Sequence, residues 1–162
     1  MNPKDNIEKL ISEKNVQFRD FRLTNIEQRA NEEGAPEMVV EGVAATFNQP
    51  TVLFKADGIE YKEQIDPDAF SGAEMDDVIF NINHCGRVYA RTRNNSLQLT
   101  IEEDGLHMRA QLLPEDEGHK QLFRDIKSGL LDKMSFAFTV AEDKYDQNER
   151  MRTITKIDRL FD

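Results

Sequence analysis

The 162-residue sequence contains no tryptophan and only one cysteine, Cys85. A single cysteine cannot form a disulfide within the chain, so nothing points to an oxidising compartment. No apolar run approaches the roughly 20 residues that cross a membrane. The polar residues after Met1 lack the apolar core of a secretory signal peptide. These absences predict a soluble, cytosolic protein.

Basic residues are also scarce. The chain has 21 lysines and arginines against 31 aspartates and glutamates, and its net charge is -10. Because phosphate binding requires clustered positive charge, we expect neither nucleic acid nor an anionic membrane as a partner. Length and composition fit a single domain over residues 1–162. Asn2-Pro3 and the apolar residues that follow predict an N-terminal helical extension over residues 1–15.

What the chain does contain is mostly the pattern of β-strands. Apolar and polar residues alternate in Leu97–Ile101 and Leu106–Leu112, and Asp57-Gly58 is a strong hairpin turn signal. One helix is firmly indicated, with Asp116 as its cap and Gly129 just past its end. The sum predicts an α+β fold that is mostly β, a barrel or sandwich with added helices.

The segment from Lys133 to Val140 predicts a strand with two unlike faces. Its bulky face is formed by Met134, Phe136, Phe138 and Val140. Its small-residue face, which a ligand could approach, is formed by Ser135, Ala137 and Thr139. Ser135 is therefore either an ordinary sheet serine bonded to a neighbouring backbone group or a candidate functional residue.

The three histidines differ in their settings. His107 lies on the polar face of a strand and His119 in the first turn of the helix, and both are expected to be solvated. His84 ends a predicted strand over Asp77–Asn83, where it is either a structural histidine or a functional one.

The sequence shows no repeated Cys and His spacing of a zinc site, so we expect no metal. A phosphate-binding glycine loop and a G-x-S-x-G turn are also missing, and we expect no cofactor. A cysteine nucleophile at Cys85 remains conceivable.

Several short segments occur in a fixed order along the chain. They are Glu41–Asn48, Ile65–Phe70, Asn83-His84, Gly86-Arg87, Leu97–Leu99, Glu102–Leu106, the helix that ends at Gly129, and Met134–Phe138. This ordered set resembles the tailed-phage prohead maturation proteases, serine proteases that share the fold of herpesvirus assemblin. The resemblance covers the chain from roughly Arg19 to its end and implies a closed or partly open β-barrel of the herpesvirus-proteinase type with flanking helices.

The resemblance also implies roles for individual residues. Ser135 would be the nucleophile and His84 the general base. Asp162, in Leu160-Phe161-Asp162, would orient the histidine, and Asp158 is the alternative because it shares the same strand parity. Such a set is chemically sensible, since a serine hydroxyl is a weak nucleophile until a base accepts its proton.

The sequence departs from the family pattern at three points. Cys85 takes the place of the usual aspartate after the histidine, Asp68 replaces a usual glycine, and the family's further C-terminal strand beyond residue 162 is absent.

The function implied is that of a prohead maturation serine endopeptidase. It would cleave scaffolding and capsid protein segments, and itself, inside the phage procapsid in the host cytoplasm. The family also implies a homodimer or higher homo-oligomer. The alternative is a catalytically inactive scaffold or capsid-assembly module of the same fold, which Cys85 and the absent strand favour.

Overall fold

The computed structural model describes residues 16–30 and 36–162. The helical extension expected over residues 1–15 lies outside the described residues. Within them the chain forms ten strands, one α-helix and a short 3-10 turn. The elements are β1 (Gln17–Ala30), β2 (Pro36–Thr46), β3 (Thr51–Ala56), β4 (Ile59–Ile65), β5 (Ile79–Ile82), β6 (Cys85–Arg91), β7 (Leu97–Ile101), β8 (Gly105–Leu112), α1 (Glu117–Lys127), β9 (Lys133–Asp146) and β10 (Met151–Leu160).

Eight strands form one sheet in the order β3-β4-β10-β9-β1-β2-β8-β7, and β5 and β6 form a separate hairpin. Residues 17–22 of β1 pair with β9, whereas residues 23–30 pair with β2, with an irregularity between Leu23 and Asn25. An irregularity of this kind bends a strand and increases its twist. The sheet accordingly curls into a half-barrel.

The prediction of a mostly β fold with a firm helix is thereby confirmed. Within the described part of the chain, β3 and β7 are the two edges of the sheet, so the structure shows an open sheet and not a closed barrel. The herpesvirus type of the fold stays a prediction. None of the described helices is long and apolar enough to span a membrane.

The predicted hairpin between β3 and β4 is present. Asp57 and Gly58 have φ of 52° and 76°, the positive values that a tight two-residue turn requires. β7 and β8 also pair as predicted, from Leu97 opposite Ala110 to Ile101 opposite Leu106.

Helix α1 begins and ends where its sequence signals indicate. The Asp116 carboxylate accepts the backbone N–H of His119 at 3.1 Å, and Gly129 follows the helix with φ of 77°. Leu122, Phe123 and Ile126 are buried as predicted, and a fourth helical residue, His119, is buried with them.

The prediction of a solvated His119 is wrong. Its side chain is only 4% exposed, its Nδ1 accepts the Leu113 N–H at 3.1 Å, and its ring packs edge-on against Tyr89 of β6. The helix turns this position inward because β6, which the sequence pattern did not reveal, covers the first turn. Burial lowers the pKa of His119, and the nearby Arg87 lowers it further, against the opposing effects of Asp116 and Glu115.

The bulky face predicted for the segment from Lys133 to Val140 is present in β9, but the small-residue face differs from the prediction. Phe136 and Phe138 are buried and stacked with ring centroids 4.6 Å apart, as the bulky face requires. The small-residue face is only partly open to solvent, since Ala137 is 3% exposed whereas Ser135 and Thr139 are partly buried. Ser135 lines a cavity instead.

Candidate active site

His84 is placed by a tight hairpin turn. Ile82 of β5 pairs with Cys85 of β6, which leaves Asn83 and His84 as the two turn residues. Their φ angles are 53° and 55°, as a turn with two left-handed residues requires, and Asn and His adopt this conformation more readily than most residues. The predicted strand over Asp77–Asn83 is therefore shorter than expected, and the chain returns at once as β6. The histidine projects from the tip of the β5–β6 hairpin.

Asp162 is placed by pairing with the centre of β9. The Phe161 N–H donates to the Ala137 carbonyl at 2.8 Å, and the Ala137 N–H donates to the Asp162 carbonyl at 2.9 Å. Phe161 and Asp162 thus both lie opposite the single residue Ala137, which forms a β-bulge. A bulge can redirect a side chain. On its other side Phe161 accepts the Ile79 N–H at 3.1 Å. The segment after β10 thus joins the strand of Ser135 to the hairpin of His84.

The side chains of His84 and Asp162 meet at short range. Nδ1 of His84 lies 2.6 Å from Oδ1 of Asp162, with 25% and 12% of the two side chains exposed. The Asn81 amide lies 3.4 Å from the other carboxylate oxygen. A carboxylate at Nδ1 favours the tautomer with its proton on that nitrogen. This leaves Nε2 of His84 as the basic atom.

Ser135 lies at the same cavity. Its Oγ is buried and has no hydrogen-bond partner among the described residues, a costly condition for a hydroxyl. The cavity, of about 380 Å³, is lined by Ser135, His84 and Asp162 together. The structure therefore brings the three predicted residues to one cavity without a bond between the Ser135 hydroxyl and His84. Catalytic hydrogen bonds are often loose until substrate binds.

The rest of the cavity wall is largely apolar. It is built by Val78, Ile79, Phe80, Ile82, Leu97, Leu99, Met108, Leu122, Ile126, Leu131, Met134, Phe136 and Leu160. Lys133 adds one positive charge. A mostly apolar wall with a few polar groups is typical of a ligand-binding cavity.

Two residues beside the histidine were not anticipated from the sequence. Asn81 contacts Asp162, as described above, and Phe18 of β1 packs on the imidazole with ring centroids 4.4 Å apart and an interplanar angle of 59°. Phe18 fits an alternating strand pattern. No local signal in the sequence could show that Phe18 lies beside a hairpin that is more than 60 residues away along the chain.

The remaining candidates lie elsewhere. Oδ2 of Asp158 accepts a hydrogen bond from the Thr139 hydroxyl at 3.3 Å, so the structure pairs Asp158 with Thr139 and not with His84. Cys85 is exposed beside the turn, and its Sγ lies 3.7 Å from the Ile82 carbonyl oxygen.

His107 belongs to a different cluster. Its Nε2 lies 2.7 Å from Asp104 and 3.8 Å from Glu102, at the turn between β7 and β8. The expectation of a merely solvated histidine is too simple, because His107 pairs with acids and is only partly exposed. The pairing lowers the pKa of Asp104, chiefly through the hydrogen bond from His107. These side chains could together hold a metal ion, but they do not line the cavity of Ser135.

Comparison with known proteins gives the family. The model of the caudovirus prohead serine proteases matches residues 24–162. The chain belongs to this family. The resemblance inferred from the ordered motifs is thereby confirmed, and the matched range includes Ser135, His84 and Asp162.

Two further comparisons concern individual proteins and structures. A search of curated proteins found no match. Among solved structures, the chain is similar to the capsid assembly protease of bacteriophage T4, at 13% sequence identity over 90% of this chain and 94% of that one. The TM-score is 0.59. At this identity the similarity concerns the fold alone.

Proposed function

We propose that this member of the prohead serine protease family is a serine endopeptidase of capsid maturation, with Ser135 as nucleophile, His84 as general base and Asp162 as the acid that orients it. The observation that carries the proposal is the 2.6 Å contact between His84 Nδ1 and Asp162 Oδ1 at a cavity that Ser135 also lines. Nδ1 is engaged by the acid, so Nε2 is the nitrogen available to the serine.

In the proposed reaction the Ser135 hydroxyl attacks the scissile carbonyl and passes its proton to Nε2 of His84. Asp162 holds Nδ1–H and stabilises the imidazolium. His84 then gives the proton to the leaving amine, and the acyl-enzyme is hydrolysed by water activated in the same way. Backbone N–H groups would stabilise the oxyanion, each by a few kcal/mol.

The substrates we propose are extended segments of scaffolding and capsid proteins, and the protease itself. Cleavage would take place inside the procapsid in the host cytoplasm, by a homodimer or higher homo-oligomer. Family membership supports these assignments, and the largely apolar wall of the cavity suits unfolded segments that present apolar side chains. A relation to the herpesvirus proteinase fold belongs to the same proposal and rests on the motifs.

A second candidate is an inactive assembly module of the same fold. The observation that favours it is the Ser135 hydroxyl, which makes no hydrogen bond to His84 among the described residues. The two functions predict opposite results for one experiment, since only the protease depends on the Ser135 oxygen.

The experiment is co-expression of the full chain with the capsid and scaffolding proteins of the same phage, followed by mass spectrometry of their termini. We expect new termini with the wild-type chain and none with Ser135→Ala. Ser71→Ala is the matched control, because Ser71 is exposed and lies outside the cavity. Unchanged cleavage by Ser135→Ala, or intact substrates with the wild-type chain, would contradict the proposal.

A further inference from the structure

His84 is contacted from two sides by residues that the same position of β9 holds in place. Asp162 bonds through its backbone to Ala137, and Phe18 pairs directly opposite Ala137 in the β1–β9 ladder. Both side chains then reach His84: the carboxylate of Asp162 contacts Nδ1, and the ring of Phe18 packs against the imidazole at a tilt. Residues opposite one another in a sheet point to the same face. Phe18 and Ala137 therefore share the face on which Ser135 lies, two positions along β9.

The two contacts constrain different motions of the imidazole. A single hydrogen bond at Nδ1 allows the ring to pivot about that bond, and the χ2 torsion of histidine has a broad energy profile that sets no sharp orientation by itself. A ring tilted at 59° against the imidazole, with the two centroids 4.4 Å apart, opposes that pivot. Asp162 thus fixes which nitrogen is basic, and Phe18 fixes where that nitrogen points.

Phe18 is not a member of the buried core. Half of its surface is exposed, whereas Phe136 and Phe138 on the paired strand are buried. Its neighbour Arg19 is engaged elsewhere, in an ion pair with Glu63. Among the aromatic contacts of the described residues, the one that Phe18 makes is with His84.

We propose that Phe18 is a positioning residue, which acts through His84 and holds Nε2 towards Ser135. The inference rests on the proposed function, because it concerns the orientation of the base in that reaction. Displacement of a catalytic group by about 1 Å can reduce a rate by up to about a hundredfold. Loss of the ring should therefore slow the reaction of Ser135 while leaving the fold intact.

The test uses a fluorophosphonate probe, which reacts with an activated serine and requires no knowledge of the cleavage sequence. We expect Phe18→Ala to slow labelling of Ser135 about tenfold, Phe18→Leu to slow it to a similar degree, and Phe18→Tyr to restore the wild-type rate. Phe54→Ala is the matched control, because Phe54 is a partly buried aromatic residue stacked on Tyr61 at an edge strand, and its rate should equal that of the wild type.

A spectroscopic measurement separates positioning from a general loss of stability. The Phe18 ring should shift the carbon-bound imidazole protons of His84 in the nuclear magnetic resonance spectrum, with His107 and His119 as internal references. The shift should disappear in Phe18→Leu, which keeps an apolar side chain of similar volume, and persist in Phe18→Tyr.

The outcomes distinguish the inference from the function on which it rests. If the wild-type chain is not labelled at Ser135, the proposed function fails and the inference with it. If the wild type is labelled and Phe18→Ala and Phe18→Leu react at the same rate, Phe18 does not position the base. Equal slowing in Phe54→Ala would also overturn the inference. Where Phe18→Ala does not fold, Phe18→Leu decides the question.

Discussion

The two halves of the candidate site are built with very different support. Ser135 lies on β9, which pairs with β1 on one side and β10 on the other within the eight-stranded sheet. His84 lies at the tip of a separate two-stranded hairpin whose second strand begins with four exposed residues. A two-stranded hairpin alone is marginally stable in water.

The hairpin is held to the rest of the molecule by apolar packing against the core and by a few polar contacts. The Ile79 N–H bonds to Phe161, and Arg87 of β6 forms an ion pair with Asp116 at the start of α1 at 2.6 Å. At its tip, His84 meets Asp162 and Phe18. The nucleophile is thus fixed within the eight-stranded sheet, whereas the base, at the tip of the hairpin, depends in addition on contacts at its own side chain.

The largest effect is expected from a substitution that removes the carboxylate at Nδ1 of His84. Asp162→Asn should reduce proteolysis by about 10⁴-fold, because an amide at Nδ1 favours the wrong tautomer of the histidine. Asp158→Asn, its control, should leave the rate unchanged since Asp158 bonds to Thr139. Cleavage of co-expressed capsid protein, followed over time, provides the measurement. Loss of activity in Asp158→Asn with retention in Asp162→Asn would reverse the assignment of the acid.

The next largest effect is expected on the stability of the sheet that carries Ser135. Phe138→Ala removes a fully buried ring from β9 and should lower the free energy of unfolding by about 3–5 kcal/mol. Val88→Ala changes an exposed residue of the hairpin and should alter it by no more than about 0.5 kcal/mol. Urea denaturation of both variants measures the difference. Similar losses in the two variants would show that the hairpin is as deeply integrated as β9.

The smallest effect concerns pH and the helix that the hairpin covers. Burial holds the pKa of His119 below the ordinary histidine value of 6.5, so the unfolded chain binds this proton more readily than the folded one. The contribution of His119 to stability is then complete above pH 6.5 and declines as the pH falls below that value. His119→Gln, which keeps an acceptor for the Leu113 N–H, should lose less stability on acidification. Parallel pH profiles of the two proteins would contradict the assignment.

The sequence was sufficient where the signal is local. Asp57-Gly58 predicts its hairpin because the turn conformation depends on those two residues, and Asp116 and Gly129 predict the ends of α1 because capping is a local interaction. The alternation along β9 identified Phe136 and Phe138 as buried. It could not show that Ala137 is buried too, since that depends on the elements that cover the other face.

The rest of the site depends on distant partners. β6 begins with Cys85-Gly86-Arg87, which carry no apolar alternation, and it forms because the turn at Asn83-His84 folds it back on β5. The bulge that brings Asp162 to Ala137 depends on pairing between segments about 25 residues apart. The ladder that places Phe18 opposite Ala137 depends on strand register across more than a hundred residues. The family motifs indicated His84 and Asp162, but neither motif nor pattern indicated Phe18, Asn81 or the burial of His119.

The measurement that tests the central claim most directly is the labelling of the full chain by a fluorophosphonate, with the modified residue identified by peptide mass spectrometry in the wild type and in His84→Gln. If the histidine at the hairpin tip activates the serine of β9, the wild type is modified at Ser135 and His84→Gln is not. Modification of another serine, or equal modification of Ser135 in both proteins, would contradict the account.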